Sequence, residues 1–405
     1  MPDDVILDAL RPEPTGGLIV TFKPGVDTGR QERCLTDAAG SGLARYSASE
    51  ADLPAMRARS RAVRLAETGI AILPGLPEAA QETAALRDRL LNDEAVAEIR
   101  PEFWMFAQDT APAFADTAEL TWGLAATGAA LSQATGAGVR LCVLDTGIDA
   151  GHPDWQGRQI TARSFVEGEG VQDRQGHGTH CAGTAAGRPA REGVPRYGVA
   201  PEAELFVGKV LNDSGAGQEG DILAGMLWGI EEGCAVISMS LGRSTRPGES
   251  YSLAYERLGA LALEAGSLIV AAAGNESSRS FGLIAPVGAP ADSPSIMAVA
   301  ALDQALAVAE FSCGGITAGG GEVDIAAPGV GVFSCVPRPE LYKKLRGTSM
   351  ACPHVAGLAA LWAASDPALR GRALWHMLTS SALPLPLPAR DVGAGLAQAP
   401  RPPLS

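Results

Sequence analysis

The spacing of apolar residues changes character part-way along the chain, and the change divides it in two. Residues 1–16 are polar and proline-containing, which predicts a flexible leader. Gly17-Leu-Ile-Val-Thr-Phe-Lys-Pro then reads as a strand stopped at Lys23-Pro24, since proline brings no N–H to a ladder. A second apolar run, Gly69-Ile-Ala-Ile-Leu-Pro, precedes helical spacing over 78–91, and a third, 96–106, again reads as extended. Strands separated by helices predict a small α+β domain over 17–107. Residues 108–117 are small and polar with one proline, the composition of an exposed linker. Beyond them lie short, continuous apolar runs at 139–144, 204–211, 235–241, 267–273, 296–301 and 323–326, the signature of strands buried on both faces. Helix-length segments at 177–187, 220–232, 251–265 and 349–364 intervene, so a mostly parallel α/β sheet is expected over 118–398, followed by an irregular Pro/Ala-rich tail at 399–405. No internal repeat and no low-complexity tract stands out.

Composition narrows the classes of function. The 49 glycines and 28 prolines among 405 residues exceed ordinary usage, yet 46% of residues are apolar, which suits a turn-rich globular enzyme and not a disordered chain. A formal charge of −14 argues against nucleic acid or an anionic membrane as partner. The N-terminus shows no basic stretch followed by an apolar one, so no Sec-type signal is read, and the expected location is the cytoplasm or export by another route. Seven cysteines without a CxxC spacing predict buried thiols, not a zinc ribbon or a disulfide framework.

Three segments carry candidate chemistry. Val143-Leu144-Asp145-Thr146-Gly147 sets a carboxylate at the C-terminal end of a buried strand, the edge where open α/β sheets bind ligands. Gln175-Gly176-His177-Gly178-Thr179-His180 sets a histidine between glycines at a helix start; His177 and His180 could also form a metal pair, although no HExxH glutamate accompanies them. Arg346-Gly347-Thr348-Ser349-Met350-Ala351-Cys352-Pro353-His354 opens a helix on a serine, which can be a plain N-cap or a nucleophile favoured by the helix dipole. Pro353 is expected in the first turn. Cys181 and Cys352, four residues beyond His177 and three beyond Ser349, fall on the same helix faces as those residues and could lie just behind the site.

In chain order Asp145, His177 and Ser349 supply an orienting carboxylate, a general base and a hydroxyl nucleophile. Asp145-Thr-Gly-Ile-Asp149, Gly176-His-Gly-Thr-His180 and Gly347-Thr-Ser-Met-Ala351-Cys-Pro-His354 resemble the three signatures of the subtilisin-like serine proteases. Ser238-Met-Ser240-Leu-Gly242, Ala271-Ala-Ala-Gly-Asn275, Ala327-Pro-Gly329 and Val392-Gly-Ala-Gly395 agree as well, and the resemblance spans about 118–398.

That resemblance implies a subtilisin-like three-layer α/β fold preceded by a small α+β, ferredoxin-like inhibitory prodomain, and a serine endopeptidase made as a self-processing zymogen and acting as a monomer on protein or peptide substrates. It implies Asn275 as an oxyanion donor, and Ser240, Leu241, Gly242, Ala272, Ala273 and Gly274 as walls of an apolar, uncharged P1 pocket. It allows structural calcium at Asp154, or at Asp324 with the carbonyls of Pro294 and Ile296, and asks no cofactor of the chemistry. Two rival readings are a peptide macrocyclase or transpeptidase on the same scaffold, and a noncatalytic peptide-binding relative. No lid insertion favours the first, and an intact triad opposes the second.

Overall fold

The computed structural model describes residues 14–39, 43–47, 56, 59–60, 62–73, 80–103, 113–188, 192–317 and 321–401. The chain divides into two compact units, Met1–Asp109 and Thr110–Ser405. The expected leader lies almost wholly outside the described residues, as do Trp104 to Phe106 and the first half of the 108–117 linker, residues 108–112.

The first unit runs β1 (Pro14–Phe22), α1 (Thr28–Ala39), β2 (Leu43–Tyr46), β3 (Ala62–Leu65), β4 (Ile70–Leu73), α2 (Ala80–Leu91) and β5 (Val96–Phe103). Its sheet has the order β2-β3-β4-β1-β5. The four strands β3, β4, β1 and β5 are antiparallel to their neighbours, with helices after β1 and β4, which is the ferredoxin-like split βαβ arrangement; β2 adds a parallel edge. Leu18, Val20 and Leu73 from the sheet bury against Leu35 and Leu90 from the helices. The sequence pattern missed α1, β2 and β3. The last two are four-residue strands, each carrying an arginine, Arg45 and Arg64, that breaks the apolar run.

In the second unit, β6 (Arg140–Asp145), β7 (Ile160–Ser164), α3 (His177–Ala186), β8 (Glu204–Lys209), α4 (Glu219–Glu231), β9 (Val236–Met239), α5 (Leu253–Glu264), β10 (Leu268–Ala272), β11 (Met297–Leu302) and β12 (Ile325–Pro328) precede a hairpin, β13 (Val332–Cys335) and β14 (Tyr342–Leu345). Helices α6 (Thr348–Ser365) and α7 (Gly371–Ser380) follow. Seven strands form one sheet, β12-β11-β10-β9-β6-β8-β7, and every pairing in it is parallel.

Both faces of that sheet are covered, and this explains the unbroken apolar runs. Leu141, Val143, Leu205, Val207, Val270 and Val299 bury against Cys181 and Ala185 of α3 and Val355 and Leu358 of α6. Their alternate neighbours Cys142, Leu144, Ile237 and Ile269 bury against Met226 of α4 and Ala262 of α5. The result is the three-layer architecture expected, with α3 and α6 on one face. Strand β6 sits between β8 and β9, where the order of connection reverses, so its C-terminal end opens on the crevice that parallel sheets use for ligands. The edge strand β7 escaped the pattern because its five residues alternate between half-buried and exposed.

Leu396 to Ala399 are buried, Ala397 N–H donates to Ala326 C=O (2.9 Å) and Trp362 Nε1 donates to Gln398 C=O (2.9 Å), so the chain is tied to β12 and α6 as far as Pro400. Among the described residues no helix is long and apolar enough to cross a membrane.

Candidate active site

Asp145 ends β6 with its side chain fully buried. Its carboxylate meets His177 Nδ1 at 2.8 Å through Oδ1 and 3.0 Å through Oδ2, and Oδ1 also accepts the Thr146 N–H (2.7 Å). A ring nitrogen facing a carboxylate carries the proton, so Nε2 is left as the basic edge.

His177 is the first residue of α3, and a second buried carboxylate holds it there. Asp173 accepts from the N–H groups of Gln175 (3.0 Å), Gly176 (2.8 Å) and Thr179 (2.8 Å), and from the hydroxyls of Thr179 (2.6 Å) and Thr146 (2.9 Å). A carboxylate at a helix N-terminus satisfies donors that have no partner in the helix and is favoured by the dipole. The helix and the Asp145 loop cross closely at Gly178, where a Cβ would strike the Gly147 carbonyl. Asp173 and Thr146 were not singled out from sequence, because nothing local marks a cap that reaches across 27 residues.

Ser349 is the second residue of α6, so its N–H is among those without a partner in the helix. Pro353 lies in the second turn and not the first. The N–H it lacks is the one that would bond the Ser349 carbonyl. That carbonyl instead accepts from Ser240 Oγ (2.7 Å) and the Cys181 thiol (3.5 Å), which ties the serine to β9 and α3. Asn275 fastens the same helix from the side: its Oδ1 accepts the Thr348 N–H (2.8 Å) and hydroxyl (3.0 Å). An amide N–H is only a donor, so the orientation of this carboxamide is fixed and its NH2 is the free end.

His177, Ser349 and Asn275 line one cleft of about 540 Å³, together with Ser240, Leu241, Gly242, Ala272 and Gly274 from the expected walls. Ala273 does not line it. Its side chain is buried with Ile269 and Ala271 on the far face, and its carbonyl accepts the Gly288 N–H (2.9 Å). Gly288-Ala289-Pro290, which sequence left unplaced, supply a further wall, and the rim is not uncharged: Glu219, Arg243 and Glu276 stand on it.

His180 and His354 are occupied elsewhere. His180 is buried with Nε2 3.0 Å from the Val332 carbonyl, and burial lowers its pKa to about 3, so it holds the β13 hairpin and does not join His177 as a metal pair. His354 is buried on the Met350 carbonyl (2.8 Å), with its pKa lowered to about 4 by the same cause. At His177 burial pulls the pKa down, but the adjoining Asp145 carboxylate outweighs it and raises the value well above 6.5. A base works only when unprotonated, so kcat/KM should rise with pH through a limb above about 6.5, displaced upward from an ordinary histidine. A pH profile of kcat/KM with its limb at or below that value, or flat through neutrality, contradicts this assignment.

All seven cysteines are free and buried, and the two near the helices part company. Cys352 faces Ser238 Oγ (3.5 Å) and the Val270 carbonyl (3.4 Å) inside the sheet layer. Cys181 lies 3.8 Å from His177 Nδ1, and its sulfur, a carboxylate oxygen of Asp145 and a ring nitrogen of His177 fall within 4.8 Å of one another. A thiophilic cation can bridge those atoms. Mercuric ion is therefore expected to inhibit slowly, and Cys181→Ser to stay active and resist it. A Cys181→Ser enzyme as sensitive as the parent places the reactive thiol elsewhere.

Calcium fares differently at its two expected positions. Asp154 is buried, and its oxygens accept the hydroxyls of Tyr197 (2.5 Å) and Tyr342 (2.9 Å). Two phenols pointing their protons at the carboxylate take the place a cation would have, so Asp154 does not fit. Asp324 accepts one backbone N–H, from Ala298 (2.7 Å), and burial with Glu322 nearby raises its pKa to about 7. A carboxylate so short of countercharge, beside the segment that carries Pro294 and Ile296, fits a hard cation.

Residues 136–395, more than half the chain, match the model of the subtilase family, peptidase S8. The chain belongs to the subtilase family. Among curated subtilases it is 42% identical over 248 residues to subtilisin DY of Bacillus licheniformis, covering 61% of this chain and 84% of that protein. It is 41% identical over 250 residues to subtilisin E of Bacillus subtilis (strain 168), covering 61% of each. With alkaline elastase YaB of Bacillus sp. (strain YaB) the identity is 39% over 284 residues, 69% of this chain and 67% of the relative. The solved structure of sphericase superposes with a TM-score of 0.59 at 32% identity, over 68% of this chain and 97% of that one. This subtilase is thus a serine endopeptidase of the subtilisin type, built on the three-layer fold described above.

Proposed function

We propose that Asp145, His177 and Ser349 carry out peptide hydrolysis in this chain with Asn275 as oxyanion donor. The observation that supports this most is the Asp145–His177 contact at 2.8 Å behind a cleft shared with Ser349. Ser349 Oγ attacks the scissile carbonyl while its proton passes to His177 Nε2, and Asp145 keeps the other ring nitrogen protonated. The oxyanion is met by the Asn275 NH2 and the Ser349 N–H, both unclaimed by the helix. Collapse breaks the C–N bond as His177 returns the proton to the leaving amine. Water then repeats the sequence on the acyl-enzyme, releasing the acid.

The substrate lies extended along the walls at Ser240–Gly242 and Ala272–Gly274, its backbone hydrogen-bonded and its side chains in alternate pockets. Asp324, with the carbonyls of Pro294 and Ile296, would hold calcium, which would neutralise the carboxyl and brace the entry to β11. The chain acts as a monomer on protein or peptide substrates.

The ferredoxin-like unit is read as an inhibitory prodomain. Cleavage is expected between about Phe106 and Thr117, after the apolar Phe103-Trp104-Met105-Phe106 or near Phe114, in a stretch of which residues 106–112 lie outside the described residues. Covalent linkage keeps the local concentration of such an inhibitor high until it is cut. Intact mass and N-terminal sequencing of the wild type and Ser349→Ala test this reading. The wild type should be shortened within that window and the variant remain full length; a wild type that stays full length yet cleaves peptides freely overturns it.

A further inference from the structure

Behind the Asp145 loop lies a buried cation that the reaction steps above do not use. Lys209 ends β8 and is paired in register with Asp145 across the sheet. Its side chain is 0% exposed, and its Nζ reaches the Thr146 carbonyl (2.7 Å), Asp213 Oδ1 (2.8 Å) and Glu169 Oε2 (3.2 Å). A fully buried ammonium is tolerated only with partners of this quality, and hydrophobic residues of similar volume would pack there without the cost. Its partners also lead in two directions, to the triad and to the substrate.

We propose that Lys209 is a positioning residue: it fixes the turn that aims the Asp145 carboxylate, tempers the negative field at His177, and through Asp213 couples both to the substrate-binding wall. The proposal rests on the Asp145–His177–Ser349 reading. Thr146 is the link to the triad. Its N–H donates to Asp145 Oδ1 (2.7 Å), its hydroxyl donates to Asp173 (2.9 Å) and accepts the Gly178 N–H (2.8 Å), and its carbonyl is held by Lys209. Release of the carbonyl loosens the Thr146–Gly147 peptide and, through Thr146, the N–H that orients the carboxylate. Asp213 is the link to the substrate. It sits in a turn closed by Asn212 N–H on Ala216 C=O (2.8 Å), and Gly215, Ala216 and Gly217 line the cleft. Glu169 accepts the Asp213 N–H (3.0 Å) and completes the triangle.

The charges set the sign of the electrostatic effect. Around His177, besides Asp145, stand Cys181 and His180 on its own helix, Asp173 at the cap, Glu219, Arg243, Tyr255 and Glu276 on the shared cleft, and, behind the Asp145 loop, Lys209 with Asp213, Glu169 and Arg174. Removing Lys209 leaves Glu169 and Asp213 uncompensated, so the field favours protonated His177 more strongly. Removing the Asp213 charge acts in the opposite sense. A side chain that merely fills space produces no such sign reversal.

Lys209→Met, Lys209→Arg and Asp213→Asn, each assayed for kcat, KM and the pH dependence of kcat/KM, test the proposal, with phosphonate labelling of Ser349 as the check for a folded site. In Lys209→Met the acid limb should move up by on the order of half a pH unit and kcat fall by on the order of tenfold or more, as the carboxylate loses its aim. Lys209→Arg should return the limb to its wild-type position. Asp213→Asn should move it down and raise KM. Limbs that stay in place, or move the same way in Lys209→Met and Asp213→Asn, reduce Lys209 to packing. If Lys209→Met does not fold, an unmoved limb in Asp213→Asn overturns the proposal by itself. A wild type that phosphonates fail to label at Ser349 defeats the underlying site assignment instead.

Discussion

Replacing Ser349 by alanine is expected to abolish peptide hydrolysis and leave the fold intact. The loss in kcat should be on the order of 10⁶, the size known for removal of the nucleophile in subtilisin, a relative of this chain. The structure explains why folding should survive. Among the described residues the Ser349 hydroxyl makes one hydrogen bond, a long one of 3.4 Å to the Ser240 carbonyl. The contacts that tie the residue to β9 and α3 go to its carbonyl and are kept in the variant. Purified Ser349→Ala with an unchanged melting temperature and no turnover fits this account, whereas near-wild-type turnover ends it.

The second large effect belongs to Asp145→Asn, a substitution almost without change in volume. Oδ1 receives the Thr146 N–H at 2.7 Å, so the carboxamide oxygen must take that place. The new NH2 then falls where Oδ2 now stands, 3.0 Å from His177 Nδ1. That NH2 opposes the Nδ1 proton, and Oδ1, 2.8 Å from the same nitrogen, has lost its charge and already holds the Thr146 N–H, so the balance shifts to the tautomer that carries its proton on Nε2, the edge that should accept one from Ser349. A loss in kcat on the order of 10⁴ is expected, as in the corresponding change on an unrelated serine-protease fold. The acid limb of kcat/KM should also move down, because the carboxylate that raised the His177 pKa is gone. Asp145→Asn within tenfold of wild type contradicts this role for the carboxylate.

Much of this was legible in sequence where one physical rule acts locally. Strands buried on both faces read as unbroken apolar runs, so β6 and β8 to β12 were visible, and so was the start of α3, with His177 set between glycines. What escaped is set by partners distant along the chain. Nothing near Asp154 tells that Tyr197 and Tyr342 will turn their hydroxyls onto it, which is why it passed for a calcium ligand. Ala273 sits in a segment whose neighbours line the cleft, but strand alternation turns its side chain the other way. Pro353 was placed by its distance from Ser349, while its consequence, a serine carbonyl released to Ser240 and Cys181, depends on two other elements. Lys209 did carry a signal: a lysine inside the apolar run at 204–211 is a charge in a strand with no exposed face, and such a residue demands partners.

The central claim is that Ser349 is the nucleophile activated by His177. The most direct measurement is covalent labelling with an aryl phosphonate followed by peptide mass mapping, run on the wild type, Ser349→Ala and His177→Ala. The account predicts a single adduct on the peptide that contains Ser349 in the wild type, none in Ser349→Ala, and labelling slowed by orders of magnitude in His177→Ala. A wild type that hydrolyses peptides while its adduct maps to another residue would contradict it.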